Sequence, residues 1–264
     1  MSHRLPSLAT VEMPDSHTGS MDSTKTLKAL GIDPDRPTAS VREAIQLIGD
    51  RVATFDANQL DVIINETYRQ AGTICYTMDE FKATEHGKQN ANVGLYELAH
   101  IPSVVQKPSW WEPSANTSPA RPLAGLKVID LARVIAGPAI SKGLAEWGAS
   151  VMRVTGPNTM DIPSLHADLN WGKWNCSIDL KTEAGKEQLQ DLIRDADVIL
   201  DGYRPGVMER LGFGREAVLK LVEGRDRGII YARENCYGWH GPWQHRSGWQ
   251  QISDAVNNLT AQPS

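Results

Sequence analysis

The feature that most constrains this chain is a regular alternation of apolar and amphipathic segments between Leu126 and Tyr231. Short apolar runs, such as Val198 to Leu200, alternate with longer segments that have helical periodicity. Strands that are apolar on both faces are typical of a parallel sheet covered by helices. The pattern predicts an α/β fold: a Rossmann-like parallel sheet with helices on both faces and strands near residues 126–131, 150–154, 177–180, 197–201 and 228–231.

Composition excludes several classes of function. The chain has 264 residues and a net charge of -5, and no block of lysines and arginines stands out. This argues against nucleic-acid and membrane partners. Residues 1–20 lack the apolar core of a signal peptide, and the C-terminal residues are not a peroxisomal signal. The three cysteines are odd in number and far apart. We therefore expect a cytoplasmic protein with reduced thiols.

The first hundred residues predict a different organisation. Residues 1–24 are polar and are expected to form a disordered tail, and residues 25–101 are expected to form a small, mostly helical region. Within it, Ser40 and the Thr77–Glu80 capping box should each begin a helix, a further helix should run from Asn58 to Gln70, and 93–98 alternates like a strand. Residues 102–121 are rich in proline and predict a connector to a domain at 122–264.

The turn after the first predicted strand has the character of an anion site. Arg133, Val134 and Ile135 lead into Ala136 and Gly137, where a helix should begin. A helix N-terminus presents unpaired N–H groups and the positive end of the helix dipole. By spacing alone, an ordinary strand-to-helix turn is the better explanation, and only the surrounding motifs favour a ligand site.

Further motifs follow in a fixed order. They are Asn170 to Lys173, Asp201 to Gly206 with Arg210 on the next helix, and Gly248 to Gln250. Together with the segment from Pro122 to Pro138, they resemble the N-terminal half of the class III CoA-transferase family. That family includes formyl-CoA and carnitine CoA-transferases and alpha-methylacyl-CoA racemase. The resemblance covers about half of the chain.

The resemblance implies a coenzyme A site and names its residues. It places the coenzyme A diphosphate at Arg133–Gly137 and further nucleotide contacts at Lys173 and at Tyr203, Arg204, Pro205, Gly206 and Arg210. Surface roles are open alternatives for Lys173 and Arg210. Coenzyme A or acyl-CoA would be a substrate, no tightly bound cofactor is implied, and a small carboxylic acid would be the acceptor.

The same resemblance implies the chemistry. The transferases use an aspartate that forms an acyl-aspartyl anhydride and releases the CoA thiolate. That aspartate follows the motif at Gly248, so we expect it beyond Ser264, with no catalytic residue in this chain and no turnover by the isolated chain. Trp249 stands where the racemases have a histidine, which makes racemase chemistry the weaker interpretation. A non-catalytic CoA-binding or dimerisation fragment is the alternative, and a nicotinamide-dependent oxidoreductase rests on fold analogy alone.

A second resemblance concerns residues 41–100. The segment from Tyr68 to Phe81 is similar to the end of chains in the same family. The C-terminal part of one family copy would then precede the N-terminal part of a second copy, as at the middle of fungal proteins built of two tandem copies. We expect such a chain to form a homo-oligomer or to pair with a longer homologue.

Overall fold

The computed structural model describes residues 23–112, 114–159 and 161–256, and almost all of the predicted N-terminal tail lies outside these ranges. The described chain divides into two compact units. One contains the residues up to Glu97 together with those from Asn235, and the other runs from Leu98 to Glu234. The segment from Asn235 thus groups with the N-terminal region, although the sequence pattern assigned residues 122–264 to one domain. The domain boundaries predicted from the sequence, at residues 24, 101 and 121, stay a prediction.

The first unit is mostly helical. Its helices are α1 (Ser23–Ala29), α2 (Val41–Val52), α3 (Ala57–Val62), a π-helical turn (Ile63–Thr67), α4 (Met78–Ala83), α5 (Glu85–Asn90) and α11 (Gln250–Val256). The Ser40 hydroxyl accepts a hydrogen bond from the Glu43 N–H at the start of α2, and Thr77 and Glu80 form a reciprocal capping box on α4. Both predicted helix starts are confirmed.

One prediction in this region is wrong, and a second is right only in part. Residues 93–98 form no strand, and Leu95 and Leu98 are almost fully exposed. Alternation stabilises a strand only when another strand pairs with it and one face is buried. The helix expected from Asn58 to Gln70 changes to the π-helical turn at Ile63 and ends at Thr67.

A buried ion network holds the two sequence segments of this unit together. The Arg246 guanidinium donates to both carboxylate oxygens of Asp61, at 3.2 and 2.8 Å, and to Glu66 at 3.1 Å. The His86 ring bonds to the Tyr237 carbonyl through Nε2 at 3.0 Å. These contacts join residues far apart in sequence and explain why the segment from Asn235 belongs to this unit.

The second unit is built on a parallel sheet of five strands in the order β3-β2-β1-β4-β5. The strands are β1 (Lys127–Leu131), β2 (Ser150–Thr155), β3 (Lys173–Ser177), β4 (Val198–Asp201) and β5 (Ile230–Arg233), and the helices are α6 (Ala136–Glu146), α7 (Pro163–Leu169), α8 (Glu183–Asp195), α9 (Val207–Leu211) and α10 (Arg215–Leu221).

Alternate residues of β1 face different helices. Ile129 and Leu131 belong to the core that contains Leu189 and Ile193 of α8. Val128 belongs to a separate cluster that includes Leu144 and Ala145 of α6. The predicted α/β fold is confirmed. Its third strand begins at Lys173 instead of residue 177, and α7 was not predicted.

No helix in the described ranges is long and apolar enough to cross a membrane.

Candidate functional site

The strand order places a crevice between the carboxyl ends of β1 and β4. The chain leaves β1 toward β2 on one side of the sheet and reaches β4 on the other side. Open parallel sheets bind their ligands outside the carboxyl ends of the strands, where the strand order reverses in this way. The two predicted turns, after β1 and after β4, both lie at this position.

The turn after β1 is held in an unusual conformation. Val134 has a φ of 71°, in the left-handed region that a β-branched residue rarely adopts. The Asp130 carboxylate accepts a hydrogen bond from the Ala132 N–H at 2.9 Å, which fixes the start of the turn. A side chain at Gly137 would collide with Ala132, so only glycine allows α6 to begin this close to the end of β1. Strain of this kind persists where the surroundings over-determine it, often at ligand sites.

Lys173 supports this turn from inside the protein. Its ammonium donates to Asp130 Oδ2 at 3.0 Å, to the Pro138 carbonyl at 2.8 Å and to Ser141 Oγ at 2.7 Å. The Lys173 and Asp130 side chains are both 0% exposed. The alternative of a solvated surface lysine is therefore wrong. All three ammonium protons have acceptors within the protein, so the network positions α6 against β1 and β3. A direct contact of Lys173 with coenzyme A stays a prediction.

The turn after β4 is anchored by Asp201. Its carboxylate accepts the Tyr203 N–H at 3.0 Å and the Tyr231 hydroxyl at 3.1 Å. The chain then turns through Arg204 and Pro205 to Gly206, which has a φ of 82° and begins α9. An Arg210 guanidinium nitrogen would lie 3.3 Å from a Cβ atom placed at Gly206. The structure thus brings Arg210 to this turn.

The two turns meet through their side chains. The Arg133 guanidinium carbon lies 5.6 Å from the centre of the Tyr203 ring, within the range of a cation–π contact. Burial raises the pKa of the Tyr203 hydroxyl, and the positive charge of Arg133 opposes that shift. An arginine and an aromatic ring beside a helix N-terminus can hold a phosphate group and a stacked base.

The sequence prediction assigned no role in the site to the acidic residues at this edge. Burial is the main cause that raises the pKa of Asp201, and the pKa of Glu234 is raised by burial and by the charge of Asp201. Asp130 and Arg153 are also buried, and Arg153 pairs with Asp161. The sequence does contain a signal for two of these residues, because Asp130 and Arg153 stand inside otherwise apolar strands. A charge that such a strand buries needs a partner.

A cavity of about 490 Å³ opens at the opposite edge of the sheet. Gly125, Ser150 and Trp174, which lie at the amino ends of β1, β2 and β3, contribute to its lining. A much smaller space of about 10 Å³ lies beside the turn after β1, where Val134, Arg153 and Leu165 contribute to its lining. The candidate site is the crevice at the carboxyl ends, because the strained turn at Val134, the buried network of Lys173 and the Arg133 guanidinium lie there.

The described residues contain no group of His, Cys, Asp and Glu side chains that could hold a metal ion. His240 and His245, which follow Cys236 in the sequence, lie 2.8 Å from Glu97 and Glu66.

Comparisons with known proteins agree with the motifs. The model of CoA-transferase family III matches residues 123–262. The chain is 55% identical over 248 residues to the acetyl-coenzyme A transferase nodX of Hypoxylon pulicicidum, a match that covers 92% of this chain and 42% of that protein. It is 39% identical to an acyl-CoA transferase of Gibberella moniliformis, with 90% of this chain and 42% of that protein covered.

A relative outside the fungi matches a shorter part of the chain. The probable fatty acyl-CoA transferase Rv3272 of Mycobacterium tuberculosis is 34% identical over 158 residues, which are 55% of this chain and 39% of that protein. A crystal structure of Rv3272 covers 56% of this chain and 41% of its own, with a TM-score of 0.49 and 35% identity. This chain therefore spans less than half the length of these relatives. On the match over residues 123–262, the chain belongs to CoA-transferase family III.

Proposed function

We propose that the protein transfers coenzyme A between an acyl-CoA and a carboxylic acid, and that the crevice between β1 and β4 holds the nucleotide part of coenzyme A. The observation that supports this most is the meeting of the two turns, with the Arg133 guanidinium 5.6 Å from the Tyr203 ring, in a chain that belongs to CoA-transferase family III. The further residues assigned to the site are Val134, Ile135, Ala136, Gly137, Lys173, Arg204, Pro205, Gly206 and Arg210.

Each group has a role in holding the nucleotide. The N–H groups at the start of α6 and the Arg133 guanidinium would bind the diphosphate. The Tyr203 ring would stack on the adenine, and Arg210 would provide a second positive charge at Gly206. Lys173 would act indirectly, by holding the first turn of α6 in place.

The reaction proposed is the one implied by the family. An aspartate carboxylate attacks the thioester carbonyl, the carbon–sulfur bond breaks and the CoA thiolate leaves, so that an acyl-aspartyl anhydride forms. The acceptor carboxylate then attacks the aspartyl carbonyl of this anhydride, releases the original acid and forms a second anhydride with the aspartate. The thiolate attacks the acceptor's acyl carbonyl in this second anhydride and releases the aspartate. We assign none of the described carboxylates as the nucleophile. Binding energy at the nucleotide can be used to place the thioester at the reacting group.

The relatives indicate the class of substrate. They are named for acetyl, acyl and fatty acyl groups. We therefore propose an acyl-CoA as the donor and a small carboxylic acid as the acceptor. The matches to the fungal relatives extend over 90% or more of this chain, whereas the family model begins at residue 123. This supports the proposal that the region 25–101 is the tail of one family copy and that residues 122–264 are the head of a second copy.

Calorimetry with coenzyme A tests the binding site. Replacement of Arg133 by alanine should weaken binding by about 1.5–3 kcal/mol, since it removes a charge-assisted hydrogen bond. Arg215→Ala is the control, because Arg215 lies on α10 and pairs with Glu216 at 2.7 Å. Equal affinities of the wild type and the Arg133→Ala protein would remove Arg133 from the site.

The alternative is a part that binds coenzyme A or a partner chain and performs no catalysis. Acyl exchange between an acyl-CoA and a free carboxylate, with hydroxylamine trapping of an anhydride, separates the two. Binding without exchange would support the non-catalytic part.

A further inference from the structure

Glu234 immediately follows β5 and reaches into the crevice between the two turns. Its Oε1 atom would lie 3.3 Å from a Cβ atom built at Gly202 and 3.9 Å from one built at Gly137. Gly202 follows β4, and Gly137 is in the first turn of α6. A Cβ atom at Gly202 would also lie 2.7 Å from the Ala132 Cβ atom. The carboxyl group therefore occupies the space that the two glycines leave open.

Charged groups lie on the elements next to this carboxyl. Asp201 lies at the end of β4 and adds negative charge, and Asp130 of β1 is paired with Lys173. Arg233 lies 3.6 Å from Glu209 of α9, and Arg133 stands over Tyr203. The charge of Asp201 opposes ionisation of the Glu234 carboxyl.

An ionised carboxylate at this position would repel the phosphates of a ligand at the start of α6. A protonated carboxyl would instead present an O–H donor to a phosphate oxygen, as the neighbouring N–H groups do. Burial, followed by the charge of Asp201, raises the pKa of Glu234 and so favours the protonated form.

We propose that Glu234 is a ligand-contacting residue whose protonated carboxyl donates a hydrogen bond to a phosphate oxygen of the bound diphosphate, so that binding at this crevice requires a proton on Glu234. The inference rests on the proposed function, because the diphosphate is that of coenzyme A. It predicts that affinity falls as the pH rises through the pKa of Glu234, by up to tenfold for each further pH unit.

Three proteins test this by calorimetry with coenzyme A between pH 5 and pH 8. Glu234→Gln keeps a neutral hydrogen-bond donor at this position and has no side-chain proton to lose between pH 5 and pH 8. The ratio of the wild-type dissociation constant to that of Glu234→Gln should therefore rise with pH, and this ratio cancels the titration of the ligand itself. Glu234→Ala lacks the donor and should bind about fivefold to tenfold more weakly than Glu234→Gln at every pH.

Glu223→Gln is the matched control. Glu223 is exposed and follows α10 near the amino end of β5. The ratio of the wild-type dissociation constant to that of Glu223→Gln should therefore be one at every pH. A wild-type to Glu234→Gln ratio that is constant from pH 5 to pH 8 would overturn the inference and leave the coenzyme A site intact. Equal weakening by Gln and Ala would also overturn it. The absence of coenzyme A binding by the wild type at every pH would overturn both the proposed function and the inference.

Thermal unfolding without ligand gives a second readout. The folded protein holds the Glu234 proton to a higher pH than the unfolded chain does, because the folded pKa is raised. Stability should therefore fall as the pH rises above the ordinary glutamate pKa, until Glu234 is ionised in both states. The melting temperature of the wild type should drop relative to that of Glu234→Gln over this window. Parallel melting curves at all pH values would contradict the protonated carboxyl.

Discussion

The Lys173 ammonium is fully buried and donates to Asp130, the Pro138 carbonyl and Ser141. Replacement of Lys173 by methionine would leave the Asp130 carboxylate buried without its cation. Loss of one partner from a buried pair costs about 3–5 kcal/mol. We expect a loss of this size in the free energy of unfolding, measured with denaturant. Lys181→Met, at an exposed position, should change it by less than about 0.5 kcal/mol. A loss below about 1 kcal/mol for Lys173→Met would show that the pair does not stabilise the fold.

The sequence indicates which turns form the candidate site but not what surrounds their side chains. The glycines and prolines at 137, 138, 205 and 206 predict turns through local chain geometry alone. The surroundings of Lys173 and Glu234 depend on long-range pairing instead. Lys173 reaches Asp130, which is 43 residues away, only because β3, β2 and β1 pair in register. Glu234 meets Gly202 because β5 pairs with β4.

The turn between β1 and α6 carries local strain at Val134, whose φ is 71°. A left-handed conformation costs a residue with a Cβ atom about 1–2 kcal/mol, and glycine avoids this cost. Val134→Gly should therefore leave the free energy of unfolding unchanged or raise it by up to about 1 kcal/mol. Val62→Gly is the control, because Val62 is exposed in a helical conformation at the end of α3 and should lose about 0.5 kcal/mol. A larger loss at position 134 than at position 62 would contradict the strain.

The helix starts, which have strong local signals, were predicted correctly, whereas two features of the first hundred residues that depend on neighbouring segments were not. Ser40 and the Thr77–Glu80 box fix helix starts through their own hydrogen bonds, so the sequence identifies them. The alternation at residues 93–98 needs a partner strand, which those residues do not have in the structure. The π-helical turn places Asn65 so that its amide donates to the Asp61 and Gly72 carbonyls, a tertiary contact that periodicity does not reveal.

At the scale of the whole molecule, three exposed tryptophans lie near the edge strand β3. Trp147, Trp171 and Trp174 are 58%, 68% and 67% exposed. A Cβ atom at Gly172 would lie 3.3 Å from the Ala145 Cβ atom, which places the start of β3 beside the end of α6. Exposed apolar patches and unpaired strand edges both favour association. The oligomer expected from the sequence therefore has a candidate surface, defined here by these three tryptophans.

We expect the purified chain to self-associate through this surface at micromolar concentration. Light scattering after size-exclusion chromatography should give a mass above that of one chain. The double replacement Trp171→Lys and Trp174→Lys should shift the mass to that of a monomer, because two charges would then be buried at the contact. Trp110→Lys is the control, since Trp110 is 82% exposed but lies in the proline-rich connector. Circular dichroism should be unchanged in both variants. A wild-type protein that is monomeric at every concentration would refute self-association, and a double variant that keeps the oligomer mass would place the contact elsewhere.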